Sequence, residues 1–287
     1  MKKIGFIDYF LDEWHANNYP AWIRDPQHGG AFDVAYAWAA KDREGGLTTR
    51  QWCDKFGVQA MPSQEALIAA SDCIVVLSPD HPEQHEALAQ LALQSGKPVY
   101  VDKTFATSFA SAKRMFSLAE KHQTPMYSTS ALRYAQEFRW FAENGIKPEQ
   151  VSFVSARGPG VFANYAIHQL EMIITVMGTG AIRVLASGSD LAPLLVYEYE
   201  DGRSCAVNHQ SWSGFSLAVQ TTNGKGCALA IEADFWQPFT TDLLRFFATG
   251  QSKVAPADTC AAMAMVEAGL QALAERGRWV DVPRDPG

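Results

Sequence analysis

The segment KPVYVDK, residues 97–103, is an apolar run of strand length that closes on two opposite charges, Asp102 and Lys103. A strand with one wet face alternates apolar and polar residues, whereas an uninterrupted apolar run suits a parallel strand covered by helices on both faces. CIVVLS (73–78) reads the same way. Around these two runs lie helical patterns: EALIAA (65–70), PEQHEALAQLALQSG (82–96), which Gly96 stops, and SFASAKRMFSLAEKH (108–122). Nearer the amino terminus, KKIGFID (2–8) and FDVAYAWAA (32–40) are two further strand-length runs, separated by enough chain for a crossover helix. Strand and helix alternate to about Met126. That order predicts a doubly wound parallel sheet with its ligand crevice at the carboxyl ends of the strands, where Lys103 stands.

After residue 130 the rhythm changes. A helical stretch, AQEFRWFAENG (135–145), leads to a strand, QVSFVSARG (150–158), and a helix, VFANYAIHQLEMIITVMG (161–178). Strands then follow one another in IRVLASG, LLVYEYEDGRSCAVNHQSW and FSLAVQTTNGKGCALAIEA, with hairpin signals at Asp201-Gly202 and Asn223-Gly224. Two helices, near TTDLLRFFATG and TCAAMAMVEAGLQALAERG, close the chain. The expectation is an α/β protein of two domains: a doubly wound domain over 1–128 and an α+β domain with an open, mostly antiparallel sheet over 129–287.

With 287 residues, 47% of them apolar, the chain has ample material for such cores. A formal charge of −7 gives no basic footprint for nucleic acid or an anionic membrane, which points to small-molecule partners. The five cysteines lie far apart with no paired spacing, as suits a reducing cytoplasm. No signal peptide or membrane-spanning run is evident, so the expected location is cytoplasmic.

Asn164, His168, Glu171 and Thr175 recur at i, i+4, i+7 and i+11 and share one face of the 161–178 helix. A polar stripe with an imidazole and a carboxylate on an otherwise apolar helix turns toward a wet cavity, because burying such groups unpartnered is costly. The competing reading is a satisfied core histidine with Glu171 at a helix edge. Asp102 and Lys103 end one strand, and Asp80 and His81 in SPDHPEQH follow another near the same rim, while His85 lies a turn into the helix as a structural residue.

These stretches carry a resemblance. GKPVYVDKTFA (96–106) is similar to the Glu-Lys-Pro segment of the Gfo/Idh/MocA oxidoreductase family, SPDHPEQH to that family's preceding Pro-Asn-x-x-His motif, and NYAIHQLE to its Asp-x-Gly-x-His-x-x-Asp helix. The resemblance implies a Rossmann-like domain that binds NAD or NADP, and an open-sheet second domain that presents a sugar, sugar acid or polyol and often mediates homo-oligomers. It implies that Lys103 and His168 assist proton transfer, with Asp102 in the preceding acid's place and Glu171 in that of the following Asp.

Three departures accompany the likeness. Thr104 replaces the family's proline, Asn164 replaces an acid, and the Gly-x-Gly-x-x-Gly phosphate loop is missing: its slots hold Asp8, Phe10 and Glu13. Phe10 would fill the pyrophosphate's space, while Asp8, Asp12 and Glu13 would oppose its charge. The acid that binds the adenosine ribose is also hard to place, since WAAKDRE offers only Asp42 after Lys41. The expectation is therefore that NAD(P) is not bound in the usual way. DEWHANNYP (12–20) would then read hydroxyls or hold a divalent cation, or else be a capped helix with a solvated face. Candidate substrate-binding residues are Asp8, Glu13, Trp14, His15, Asn17, Asp80, His81, Arg133, Asn164 and His209; His168, Glu171 and His209 are ligand types for zinc or manganese. The leading expectation is lyase, aldolase or isomerase chemistry through Lys103 and His168. The alternatives are an NAD(P)-dependent sugar or polyol dehydrogenase with an atypical loop and a non-catalytic sugar-binding or regulatory protein.

Overall fold

The fully buried middle of β1 (Lys2–Asp8) lies between β2 (Phe32–Ala39) and β4 (Cys73–Val76), parallel to both. With β3 (Gln59–Ala60), β5 (Val99–Val101) and β6 (Met126–Tyr127) they form a six-stranded sheet in the order β3-β2-β1-β4-β5-β6, every neighbouring pair parallel. The order reverses between β1 and β4, and the carboxyl ends of those two strands bound the crevice expected of this topology. The intervening helices are α1 (Trp14–Ile23), α2 (Thr49–Phe56), α3 (Gln64–Ala70), α4 (His85–Ala89) and α5 (Phe109–Lys121). Gly5 has a packing reason: a Cβ there would run into Ser71 Oγ and lie 2.5 Å from Leu67 Cδ2, so only glycine lets this side of the strand be covered so closely.

After α6 (Arg139–Glu143), β7 (Val151–Gly158), α7 (Phe162–Met177), β8 (Ala181–Ser189), β9 (Ala192–Tyr199), β10 (Ser204–His209), β11 (Ser216–Thr221) and β12 (Gly226–Ala230) follow. Then come α8 (Trp236–Thr249), α9 (Pro256–Ala274) and β13 (Trp279–Asp281). The second sheet has the order β12-β11-β7-β10-β9-β8-β13, antiparallel throughout except for the β7–β10 pair. The two expected hairpins are present, β9–β10 around Asp201-Gly202 and β11–β12 around Asn223-Gly224. Helices α7 and α9 pack closely where Gly269 meets Phe162 and Tyr197.

The computed structural model describes residues 1–285 and resolves two compact units. The first comprises Met1–Ala106, Ser111–Ser128 and Phe239–Ala255; the second comprises Thr107–Ala110, Thr129–Pro238 and the chain from Pro256 on. Most of α8 thus returns to the first unit, where Phe239 packs on Tyr19 and Tyr100, Phe246 on Tyr127, and Phe247 on Phe32. All five cysteines are free thiols, and no helix among the described residues is long and apolar enough to cross a membrane.

Candidate active site

In the first unit, the segment after β1 is a capped helix start. Glu13 is the N-cap of α1: its carboxyl accepts the His15 amide at 2.7 Å and the Ala16 amide. Two of the amides that a phosphate would use are therefore taken by a side chain of the chain itself. Burial pushes Glu13 up to about 8, and burial with Glu13 beside it pushes Asp8 well above the usual carboxylate range. Glu13 thus favours its neutral, protonated form near neutral pH, and the Asp8 shift is in the same direction. Asp12 is held ionised, below its ordinary value, chiefly by the Leu47 amide at 2.9 Å; Asn17 also donates to it at 3.2 Å. Asn17 accepts from Trp52 Nε1 at 2.9 Å, so it braces α1 against α2, and Trp14 is 52% exposed.

His15 pairs through Nδ1 with Asp102, just after β5. Asp102 is fully buried. Burial alone would raise its pKa, but His15 and then Lys103 outweigh that and hold it below the carboxylate range. Its other oxygen accepts the Lys103 amide at 2.8 Å and the Tyr100 hydroxyl at 3.3 Å. Lys103 is 8% exposed, and its Nζ donates to the Pro79 carbonyl, 3.4 Å away in the loop after β4. The Lys103–Thr104 peptide is cis. In that loop Ser78 takes a left-handed φ of 92° in a tight turn closed by the His81 amide on the Ser78 carbonyl. His85 is wholly buried with Nδ1 on the Phe105 carbonyl, and burial lowers its pKa, which suits a structural residue.

Asp8, Tyr9, Phe10 and Glu13 face Ser78, Pro79, Asp80 and His81 across a cavity of about 10 Å³, room for roughly one water. The His81 ring closes it, with its centroid 5.2 Å from Tyr9 and 5.5 Å from Phe10. On the other side of the β1 loop, Lys41 Nζ stands 4.4 Å from the Tyr9 ring and the Arg43 guanidinium 5.5 Å from the Phe10 ring, and Arg43 Nη1 donates to the Asp12 carbonyl.

In the second unit, α7 turns its polar residues to separate partners. His168 Nδ1 lies 2.7 Å from Ser130 Oγ, and its ring meets Tyr165 and Phe215 edge-on. Glu171 accepts from Arg133 Nε at 2.7 Å and from Thr129 Oγ1 at 3.0 Å, and Arg133 also bonds Asp258 at 3.1 Å. Thr175 donates back to the Glu171 carbonyl, and Asn164 is half-exposed at the start of the helix. His209 is buried, holds the Pro159 carbonyl with Nδ1, and has its pKa lowered by burial.

The first unit has a Rossmann-type doubly wound fold and the second an open, mostly antiparallel sheet. Residues 31–129 match the GFO_IDH_MocA family model, described as "Oxidoreductase family, NAD-binding Rossmann fold". The match begins beyond the Asp8–Tyr19 segment. Among solved structures, a probable dehydrogenase from Thermotoga maritima is 17% identical with a TM-score of 0.79, covering 98% of this chain and 99% of its own. Myo-inositol 2-dehydrogenase from Lactobacillus plantarum is 16% identical with a TM-score of 0.78, and scyllo-inositol dehydrogenase from Lactobacillus casei, solved with NAD(H) and scyllo-inositol, is 12% identical with a TM-score of 0.81; each match covers 98% of this chain and 99% of the other. At such identities the likeness is one of fold. A search of curated proteins gives no match.

These findings correct the cofactor expectation. The matched family is NAD-binding, and relatives of the same fold carry NAD or NAD(H), so the missing glycine loop is not grounds for excluding a nicotinamide cofactor. The physical reason lies in the carboxylates. Of the three held to repel a pyrophosphate, Glu13 is shifted up to about 8, Asp8 is shifted upward by burial, and Asp12 is turned to the Leu47 amide. The obstruction is side chain rather than backbone: Tyr9, Phe10 and His81 are each partly exposed, and parting two ring contacts forfeits about 1 kcal/mol apiece against roughly 8 kcal/mol for a micromolar ligand. Glu13 still occupies two of the first amides of α1, so a dinucleotide pyrophosphate would need that cap as well as those rings to move. Zinc or manganese at His168, Glu171 and His209 is likewise overturned. Among the described residues no group of three or more His, Cys, Asp or Glu side chains is placed to hold a metal, and Glu171 is already committed to Arg133.

Proposed function

We propose that the protein is an NAD(P)-dependent dehydrogenase that interconverts a secondary hydroxyl and a carbonyl on a sugar, sugar acid or polyol. The observation that carries the proposal is Lys103, an almost buried amine at the carboxyl end of β5, within the stretch that matches the model of an NAD-binding oxidoreductase family. Bound nicotinamide would supply the hydride acceptor, held by the crevice between the loops after β1, β2 and β4. Lys103 takes the hydroxyl proton as the carbonyl forms and returns it in the reverse direction. Asp102, ionised and fastened by His15, fixes the Lys103 amide, so the His15–Asp102 pair positions the lysine. His168, its ring seated by Ser130, is the second proton-handling group, and the Arg133–Glu171 pair holds the surrounding backbone of α7.

The test is reduced-nicotinamide absorbance with NAD or NADP over a panel of inositols, hexoses and sugar acids. Lys103→Met and His168→Gln are expected to lower kcat by about 10²–10⁴-fold while leaving dinucleotide affinity nearly unchanged. Unchanged turnover in both variants refutes the residue roles. Absence of reduction across the panel, in protein that binds the dinucleotide, refutes the dehydrogenase reading.

A further inference from the structure

In the second unit, β7 and β10 are the parallel pair of an otherwise antiparallel sheet, and their carboxyl ends bring Gly158 and His209 together in register. The chain leaves β7 through Pro159 and Gly160 and begins α7 at Phe162, four residues on. A helix that starts beside the carboxyl ends of parallel strands turns its first amides toward that edge, the arrangement in which α/β units receive anions. Unlike α1, this helix has no acceptor of its own there: Val161 at the N-cap makes no side-chain cap, the first turn holds no acid, and the Phe162 and Ala163 amides have no acceptor among the described residues.

Beside this end lies a cavity of about 320 Å³, within the size range of small-molecule sites. Val161, Leu191, Pro193 and Leu273 give it an apolar wall, and Arg276 and His209 supply polar groups. Arg276 follows α9, in a turn fixed by the Gly277 amide on the Ala186 carbonyl at 3.1 Å. One Nη donates to Asp190 at 2.6 Å, and its other N–H groups have no partner among the described residues. The Asp190 side chain is 89% exposed, so water screens its charge more than that of the guanidinium, 36% exposed. His209 Nδ1 faces the Pro159 carbonyl at 3.2 Å. A carbonyl only accepts, so Nδ1 carries the proton and Nε2 of the neutral ring is a bare acceptor. Burial favours that neutral form, and Nε2 is itself buried without a partner among the described residues. An acceptor that water does not satisfy gains a bond outright when a ligand hydroxyl meets it. The cavity is not the one His168 serves: Phe162, which lines it, stands about 120° around α7 from His168.

We propose that this cavity is a second ligand site, which binds a small hydroxy acid with its carboxylate at the amino end of α7 and Arg276 and its hydroxyl donating to His209 Nε2. The inference does not rest on the dehydrogenase reading, because no residue assigned to proton transfer takes part.

The test is an NMR chemical-shift titration of the ¹⁵N-labelled protein with glycerate, propionate and glycerol, no dinucleotide being present. Glycerate is expected to bind at least about tenfold more tightly than propionate, which lacks the hydroxyl, or glycerol, which lacks the charge. His209→Asn, whose amide can still donate to the Pro159 carbonyl, should weaken glycerate about tenfold and leave propionate unchanged. Arg276→Gln should weaken both acids, and Lys103→Met neither. Thermal unfolding checks each fold, and Arg276→Gln, at a half-exposed position, carries the test if His209→Asn does not fold. Equal affinity for glycerate and propionate, or no saturable shift with glycerate, overturns the proposal. So does glycerate binding that survives His209→Asn or Arg276→Gln and is lost in Lys103→Met, which would place it at the catalytic lysine.

Discussion

Glu13→Gln isolates the buried acid that replaces the phosphate loop. The substitution keeps the side-chain length and one oxygen acceptor for the first amides of α1, and it removes the titration. Burial raises Glu13 in the fold to about 8 from an ordinary value of 4.5. Between those values the folded chain binds more protons than the unfolded one, so this group's stabilising contribution is full below the lower value and is lost as pH rises through the higher. Between about pH 6 and about pH 9 the wild type should lose about 3 kcal/mol on account of Glu13 alone. Asp8 acts with the same sign. The glutamine variant has a weaker cap, an offset of about 1 kcal/mol that does not depend on pH. The expected result is a stability gap between the two proteins that moves by about 3 kcal/mol in the variant's favour from the lower pH to the higher. Urea unfolding followed by tryptophan fluorescence at both pH values, at equal ionic strength, measures it. Parallel losses in wild type and variant would refute a buried, protonated Glu13.

Three further outcomes follow from the packing. Arg133→Ala leaves Glu171, 2% exposed, without its cation and should destabilise the second unit by about 3–5 kcal/mol in urea, with Arg133→Lys recovering part of the loss; a change below 1 kcal/mol would count against the pair. Gly269→Ala sets a Cβ against the Phe162 ring and 2.5 Å from the Tyr197 hydroxyl, for an expected loss of about 1–3 kcal/mol; a neutral result would mean that α7 and α9 can separate freely. Burial pushes Cys53 up to about 11 and Cys73 up to about 12, so both should resist alkylation in the native protein at neutral pH and react once it is unfolded in urea; rapid native labelling of either would contradict their burial.

The parallel sheet was legible because its strands are covered on both faces and therefore read as unbroken apolar runs, as in CIVV of β4 and VYV of β5. The hairpins were legible because Asp201-Gly202 and Asn223-Gly224 are local signals that need no knowledge of the rest of the chain. Lys103 and His168 could be picked out by motif, but their partners could not. Ser130 lies 38 residues from the His168 it seats, and His15 lies 87 residues from Asp102; no local spacing announces either pair. The polar face of α7 was read correctly as a face and wrongly as a metal site, because periodicity reports which side chains align and not which of them are already bonded, as Glu171 is to Arg133. The acidic segment misled for a related reason: charge counted from sequence assumes ionisation, whereas burial raises both Asp8 and Glu13, Glu13 to about 8.

The late return of Phe239–Ala255 to the first sheet bears on synthesis. Tyr19 and Tyr100 find the Phe239 ring, and Phe32 the Phe247 ring, only after more than two hundred residues of chain have been made. The first unit is therefore completed only once α8 has been made, and until then its nascent sheet exposes aromatic surface that this helix covers.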